Sequence, residues 1–68
     1  MTNTELLEAK IKASGLKKNY IAEQLGITYQ GFYMKLIGKN EFIGSEIQKL
    51  TNLLNISDKE IKPIFFNQ

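Results

Sequence analysis

The sequence predicts an all-α fold, a compact five-helix domain spanning residues 1–68. Two observations predict it. Apolar residues recur at spacings of three and four along the whole chain, and no strand-like alternation persists over a useful length. Gly15, Gly26 and Gly38 each follow one of these periodic stretches, at the places where helices stop. A chain this short hides only about 60% of the surface its unfolded form exposes, so the core must be simple.

The elements follow in order. Helix one is expected from about Thr4 to Ala13, with Leu7 and Ile11 inward, an Asn3 or Thr4 cap, and Gly15 as its stop. Helix two covers about Lys18 to Leu25, where Ile21, Ala22 and Leu25 make a narrow apolar face before Gly26. Helix three runs from about Tyr29 to Ile37, with Thr28 as N-cap, Phe32 and Leu36 facing the core, and Gly38 as terminator. Gly38-Lys39-Asn40-Glu41 reads as a polar loop. Helix four is expected from about Ser45 to Leu54 on a stripe of Ile47, Leu50, Leu53 and Leu54, with Ser45 and Gln48 resembling a capping box. Ser57 and Glu60 form a clearer box opening a short last helix that carries Ile61 and ends at Pro63.

Composition excludes several function classes. With no cysteine and no histidine, neither disulfides nor the usual zinc ligands are at hand, and no metal or cofactor is expected. Catalysis lacks its common nucleophile and base, Asp58 is the only aspartate, and the glutamates are dispersed, so the chain is not expected to be an enzyme. The longest apolar run late in the chain, Ile64-Phe65-Phe66, is far short of the roughly 20 residues that span a bilayer. No membrane partner is expected. The start lacks the basic and apolar regions of a secretory signal, so the expected location is cytoplasmic.

The net charge of +2 is unevenly spread: six lysines from Lys10 through Lys39 face only Glu23, a local balance of +5. Both flanks are acidic. The middle segment is therefore the candidate polyanion-binding face. Within it, two helices of about eight residues are joined only by Gly26, Ile27 and Thr28, the tight corner expected of a helix-turn-helix over about residues 18–37. Small Ala22 allows close approach, Gly26 admits positive φ, Ile27 plugs the corner and Phe32 closes the angle.

Ile21-Ala22-Glu23-Gln24-Leu25-Gly26-Ile27-Thr28, followed by Phe32 and Gly38-Lys39, resembles the lambda-repressor-like, Xre-type helix-turn-helix family, and the size is nearest to its phage Cro-like repressors. The likeness extends over nearly the whole chain, with the leucine-rich segment from Ile47 to Ser57 standing for the family's fourth helix. Gly31 and Lys35 depart from the pattern.

The resemblance implies a sequence-specific transcriptional regulator whose third helix enters the major groove of operator DNA. Thr28, Tyr29, Gln30, Tyr33 and Met34 would then face the base edges. Gln30 suits adenine N6 and N7, while Tyr29, Tyr33 and Met34 suit thymine methyls. Tyr29 and Tyr33 could instead pack partly on the core beside Phe32. The chain has no arginine, so a site read mainly through A·T pairs is expected. Phosphates would be held by Lys17, Lys18 and Asn19, by Thr28, and by Lys35, Lys39 and Asn40, with Lys10 and Lys12 less well placed.

Two further partners enter at this stage. Ile64, Phe65 and Phe66 form a surplus apolar cluster suited to a homodimer interface, formed in solution or on DNA, unless they fold back on their own domain. The apolar residues on helix three also suit a protein-binding antirepressor or modulator that engages another phage repressor.

Overall fold

In the computed structural model, which describes residues 1–67, α1 (Thr4–Ser14) starts where the Asn3 side chain accepts the Leu6 N–H at 3.1 Å, and Gly15 closes it. α2 (Lys18–Leu25), α3 (Tyr29–Leu36), α4 (Gly44–Leu53) and α5 (Asp58–Phe65) follow. These five helices, with no strand among the described residues, bear out the all-α expectation. The Cα radius of gyration of 10.6 Å equals, within error, the value of about 11 Å for a folded chain of this length. The helices therefore form one body. No helix among the described residues is long and apolar enough to cross a membrane.

α2 lies between α3 and α4, while α1 pairs with α5. The core draws on every element: Leu7 and Ile11, Ile21, Ala22 and Leu25, Phe32 and Leu36, Leu50, Leu54 and Ile56, then Ile64 and Phe65. Phe42, immediately after the Gly38-Lys39-Asn40-Glu41 stretch read from sequence as a polar loop, is also buried. Its ring centroid lies 6.1 Å from Phe32 and 5.8 Å from Phe65, so one aromatic relay ties α3, the loop and α5 together.

Ion pairs link helices at the surface. Lys10 reaches Glu60 at 2.6 Å between α1 and α5, and Lys18 reaches Glu8 at 3.0 Å between α1 and α2. The Lys10 ammonium, aided by the Ser57 N–H and hydroxyl, holds the Glu60 carboxyl at about 2 instead of its ordinary 4.5. Glu60 thereby closes its box from one side, accepting from Ser57 N–H at 3.0 Å and from the hydroxyl at 2.9 Å.

Three expectations need correction. Pro63 does not end the last helix, which continues to Phe65. A proline inside a helix costs about 3 kcal/mol or more, whereas burying Ile64 and Phe65 returns about 1.5–3 kcal/mol each. Pro63 itself faces solvent, so water can satisfy the Lys59 carbonyl that its missing N–H leaves unpaired.

The second correction follows directly. Ile64 and Phe65 are buried in the domain's own core, so they are not a surplus cluster, and only Phe66, 52% exposed, stays at the surface. The chain start is drawn to the same place: the Asn3 N–H donates to the Ile64 carbonyl at 2.6 Å and the Met1 amino group to Phe65 at 3.5 Å.

The third concerns α4. It begins at Gly44 with Ile43 in the cap position, so Ser45 and Gln48 form no box. Isoleucine has no acceptor to offer. The Glu46 carboxylate instead accepts the Ile43 N–H at 3.0 Å, for a reason that lies in α3.

Candidate nucleic-acid interface

The local sequence builds α3 from its ends. Eight residues including Gly31 make a helix that would be marginal alone, so its termini must be satisfied. At the start, the Thr28 hydroxyl accepts the Gly31 N–H at 3.0 Å. A Cβ on Gly31 would lie only 3.2 Å from that same oxygen, which gives the glycine a local reason to be there. At the finish, all four terminal carbonyls are taken. Ile37 N–H donates to Tyr33, Lys39 and Asn40 to Met34, Gly38 to Lys35, and the Thr4 hydroxyl to Leu36 at 2.7 Å.

The corner before α3 is equally determined. Gly26 has φ +75°, its N–H donates to Glu23 at 3.0 Å, and the Ile27 N–H donates back to Ala22 at 3.1 Å. This is the Schellman arrangement that stops a helix on a left-handed residue. Ile27 then packs half-buried against the core. The same arrangement recurs after α3, where Gly38 has φ +85° and Lys39 takes the position of Ile27. With its amide anchored on Met34, Lys39 projects its side chain from a fixed point.

On this frame Thr28, Tyr29, Gln30 and Tyr33 are all exposed, Tyr29 at 48% and Tyr33 at 46%, so each tyrosine is about half covered by the protein and half open to a partner. Met34 is half-buried. Ile37, not singled out from the sequence, is also exposed and continues the row of Tyr29 and Tyr33 at four-residue spacing. That spacing was the signal available.

The basic residues divide. Lys17, Asn19, Lys39 and Asn40 are exposed, and neither Lys17 nor Lys39 lies within ion-pair distance of a carboxylate among the described residues. Lys17 occupies the cap position of α2 without supplying an acceptor, so no side chain caps the N–H groups of that first turn. Lys18 is partly exposed and shared with Glu8. Lys35 does not belong to this set, a correction to its expected phosphate role. Its Nζ lies 2.6 and 2.7 Å from the two Glu46 oxygens, with side-chain exposures of only 17% and 7%. A carboxylate eleven residues away holds its ammonium, so of the lysines named here it alone is committed to a nearly buried partner.

The resulting surface is a neutral strip of tyrosine, glutamine and isoleucine with lysines before and after it in the chain. Shallow grooves of about 390, 330 and 420 Å³ occur elsewhere, on α1, α2, α4 and α5, and no residue of α3 lines them. No group of acidic, cysteine or histidine side chains able to hold a metal occurs among the described residues. No family model matches the chain, and no curated protein or solved structure does either.

Proposed function

We propose that the chain is a sequence-specific double-stranded DNA-binding regulator, a repressor of the Cro-like kind, with α2 and α3 as its helix-turn-helix. The observation that carries this reading is the exposure of Thr28, Tyr29, Gln30 and Tyr33 on a helix fixed at both ends, with Lys17 before the helix pair and Lys39 after it in the chain, neither within ion-pair distance of a carboxylate among the described residues. In this reading α3 enters the major groove and the lysines, Asn19 and Asn40 grip the phosphates on either side. The open first turn of α2 adds amides and a partial positive charge for another phosphate.

Two copies bind a pseudo-palindrome with half-sites about one turn, roughly 34 Å, apart. With Ile64 and Phe65 buried, Phe66 is the one member of the expected tail interface still exposed for a contact between copies. Salt-titrated binding to random duplex and to a site selected from a random pool tests the reading. A linear fall of log affinity with log salt, and a selected site bound at least about a thousandfold more tightly, are expected.

One observation favours a second reading. The row of Tyr29, Tyr33 and Ile37 also suits a protein surface, as in a modulator that engages another repressor. Absence of salt-dependent DNA binding would select it.

A further inference from the structure

Three of the four carbonyls at the end of α3 are capped from the residues that follow: Tyr33 by the Ile37 N–H, Met34 by those of Lys39 and Asn40, Lys35 by that of Gly38. The fourth is held from elsewhere. The Leu36 carbonyl accepts from the Thr4 hydroxyl at 2.7 Å, a bond between residues 32 apart in the chain. The residue before Thr4 does the same for another helix, the Asn3 N–H donating to the Ile64 carbonyl of α5 at 2.6 Å. Asn3 and Thr4 thus tie the ends of α3 and α5 to the first turn of α1. Leu36 and Ile64, whose carbonyls they hold, are core residues with buried side chains.

α1 gives this bond a firm base. The Asn3 side chain caps the helix start on the Leu6 N–H at 3.1 Å, and Leu7 is fully buried, so the place of Thr4 is set by the core. A threonine hydroxyl sits directly on a stiff Cβ and has little freedom to follow a moving partner. The ion pair of Lys35 with Glu46 also holds this end of α3, but through a flexible four-carbon stem. The Thr4 bond is therefore the tighter constraint on the backbone. It matters because an eight-residue helix containing Gly31 has little stability of its own.

We infer, on the basis of the DNA-binding reading above, that Thr4 is a positioning residue for that binding. Its hydroxyl touches no base, but it sets the angle at which α3 presents Gln30 and Tyr33. Without it the Leu36 carbonyl has no donor in the fold and turns toward water, taking the end of α3 away from α1. Hydrogen bonds to base edges are lost in such a shift, whereas phosphate contacts from long lysine side chains adjust to it.

The test compares the full chain with Thr4→Val, which keeps the shape and removes the donor, and with Thr4→Ser, which keeps the hydroxyl. Each is studied under conditions where denaturant melts show it fully folded. In Thr4→Val the Ile37, Gly38 and Lys39 amides should exchange with deuterium about fivefold faster than in the parent, while the Ile21 and Ala22 amides change less. A duplex selected from a random pool should be bound about fivefold more weakly. Affinity for random duplex and the salt slope should match the parent. Thr4→Ser should restore both exchange and selectivity, and because serine lacks the methyl such a rescue assigns the effect to the hydroxyl. Should Thr4→Val not fold, Thr4→Ala, which leaves room for water at the Leu36 carbonyl, carries the same comparison. An unchanged preference for the selected duplex, or exchange faster by one factor at every amide, would overturn the positioning role and leave DNA binding intact. A parent chain without salt-dependent binding to any duplex would overturn both.

Discussion

Lys35 and Glu46 form an ion pair across the α3–α4 boundary in which the ammonium bridges both carboxylate oxygens at 2.6 and 2.7 Å. One of those oxygens also accepts the Ile43 N–H at 3.0 Å. The pair therefore joins three parts of the chain: the back of α3, the start of α4 and the loop that carries Lys39. Removing one partner leaves a nearly buried charge unmatched, and such losses cost about 3–5 kcal/mol when burial is complete. Glu46→Gln, which keeps an acceptor for Ile43, should cost about 3 kcal/mol because Lys35 can partly reach water. Lys35→Met with Glu46→Leu should cost less than the single change, as measured by denaturant melts. A larger loss in the double variant would refute the argument.

At Gly26 nothing lies within 4 Å of a built Cβ, so the cost of a side chain there is conformational and not steric. Gly26→Val should lose about 1–3 kcal/mol. Asparagine tolerates the left-handed region, so Gly26→Asn should lose less than about 1 kcal/mol. Equal losses in chemical denaturation would show that space, not φ, sets the requirement.

The depressed Glu60 carboxyl predicts a pH dependence. The folded state holds this proton less tightly than the unfolded one, so the contribution is complete above pH 4.5 and is lost as pH falls through about 2. Melting temperature should decline across that window in the intact chain. Glu60→Gln should flatten the decline, and an unchanged pH profile would remove Glu60 as its source.

Phe65→Ala should act on folding and not on association. The ring is buried against Phe42, and large-to-small changes of this kind cost about 3–5 kcal/mol. Phe66→Ser, at an exposed position, should leave the melt within about 0.5 kcal/mol of the parent. Sedimentation of Phe66→Ser then reports on pairing without confusion from unfolding.

On DNA, Gln30→Ala should cost roughly 1–3 kcal/mol on the selected site and relax preference at one position. Lys39→Ala should weaken selected and random duplex alike and lower the salt slope by about one. Lys35→Met should leave that slope unchanged, since its ammonium is committed to Glu46. A slope reduced equally by Lys35→Met and Lys39→Ala would place Lys35 at a phosphate after all.

What was legible in the sequence is what is local. Thr28 as a cap, Gly26 as a corner and Glu60 reaching back to Ser57 each depend on groups three or four residues apart. The exposure of Gln30 follows from Phe32 and Leu36 facing inward, whereas for Tyr29 and Tyr33 the sequence leaves partial packing beside Phe32 open as well. Errors gathered where a distant partner decided the outcome. Nothing near Lys35 in the chain announces Glu46, and Phe42 in a charged loop gives no sign that Phe32 and Phe65 will enclose it. Pro63 misled for the same reason, because a local helix-breaking preference yielded to the burial of Ile64 and Phe65 on α1's side of the core.

The 2.6 Å bond from the Asn3 amide to the Ile64 carbonyl has a consequence for how the protein breathes. Chain termini ordinarily fray, and amides there exchange with solvent almost freely. Here the opening residues are latched to the last helix, whose Ile64 and Phe65 belong to the central core. Neither end can loosen without disturbing the other. The Asn3 amide should therefore trade its proton for deuterium as slowly as amides at the centre of α2, a terminal position that reports the opening of the entire domain.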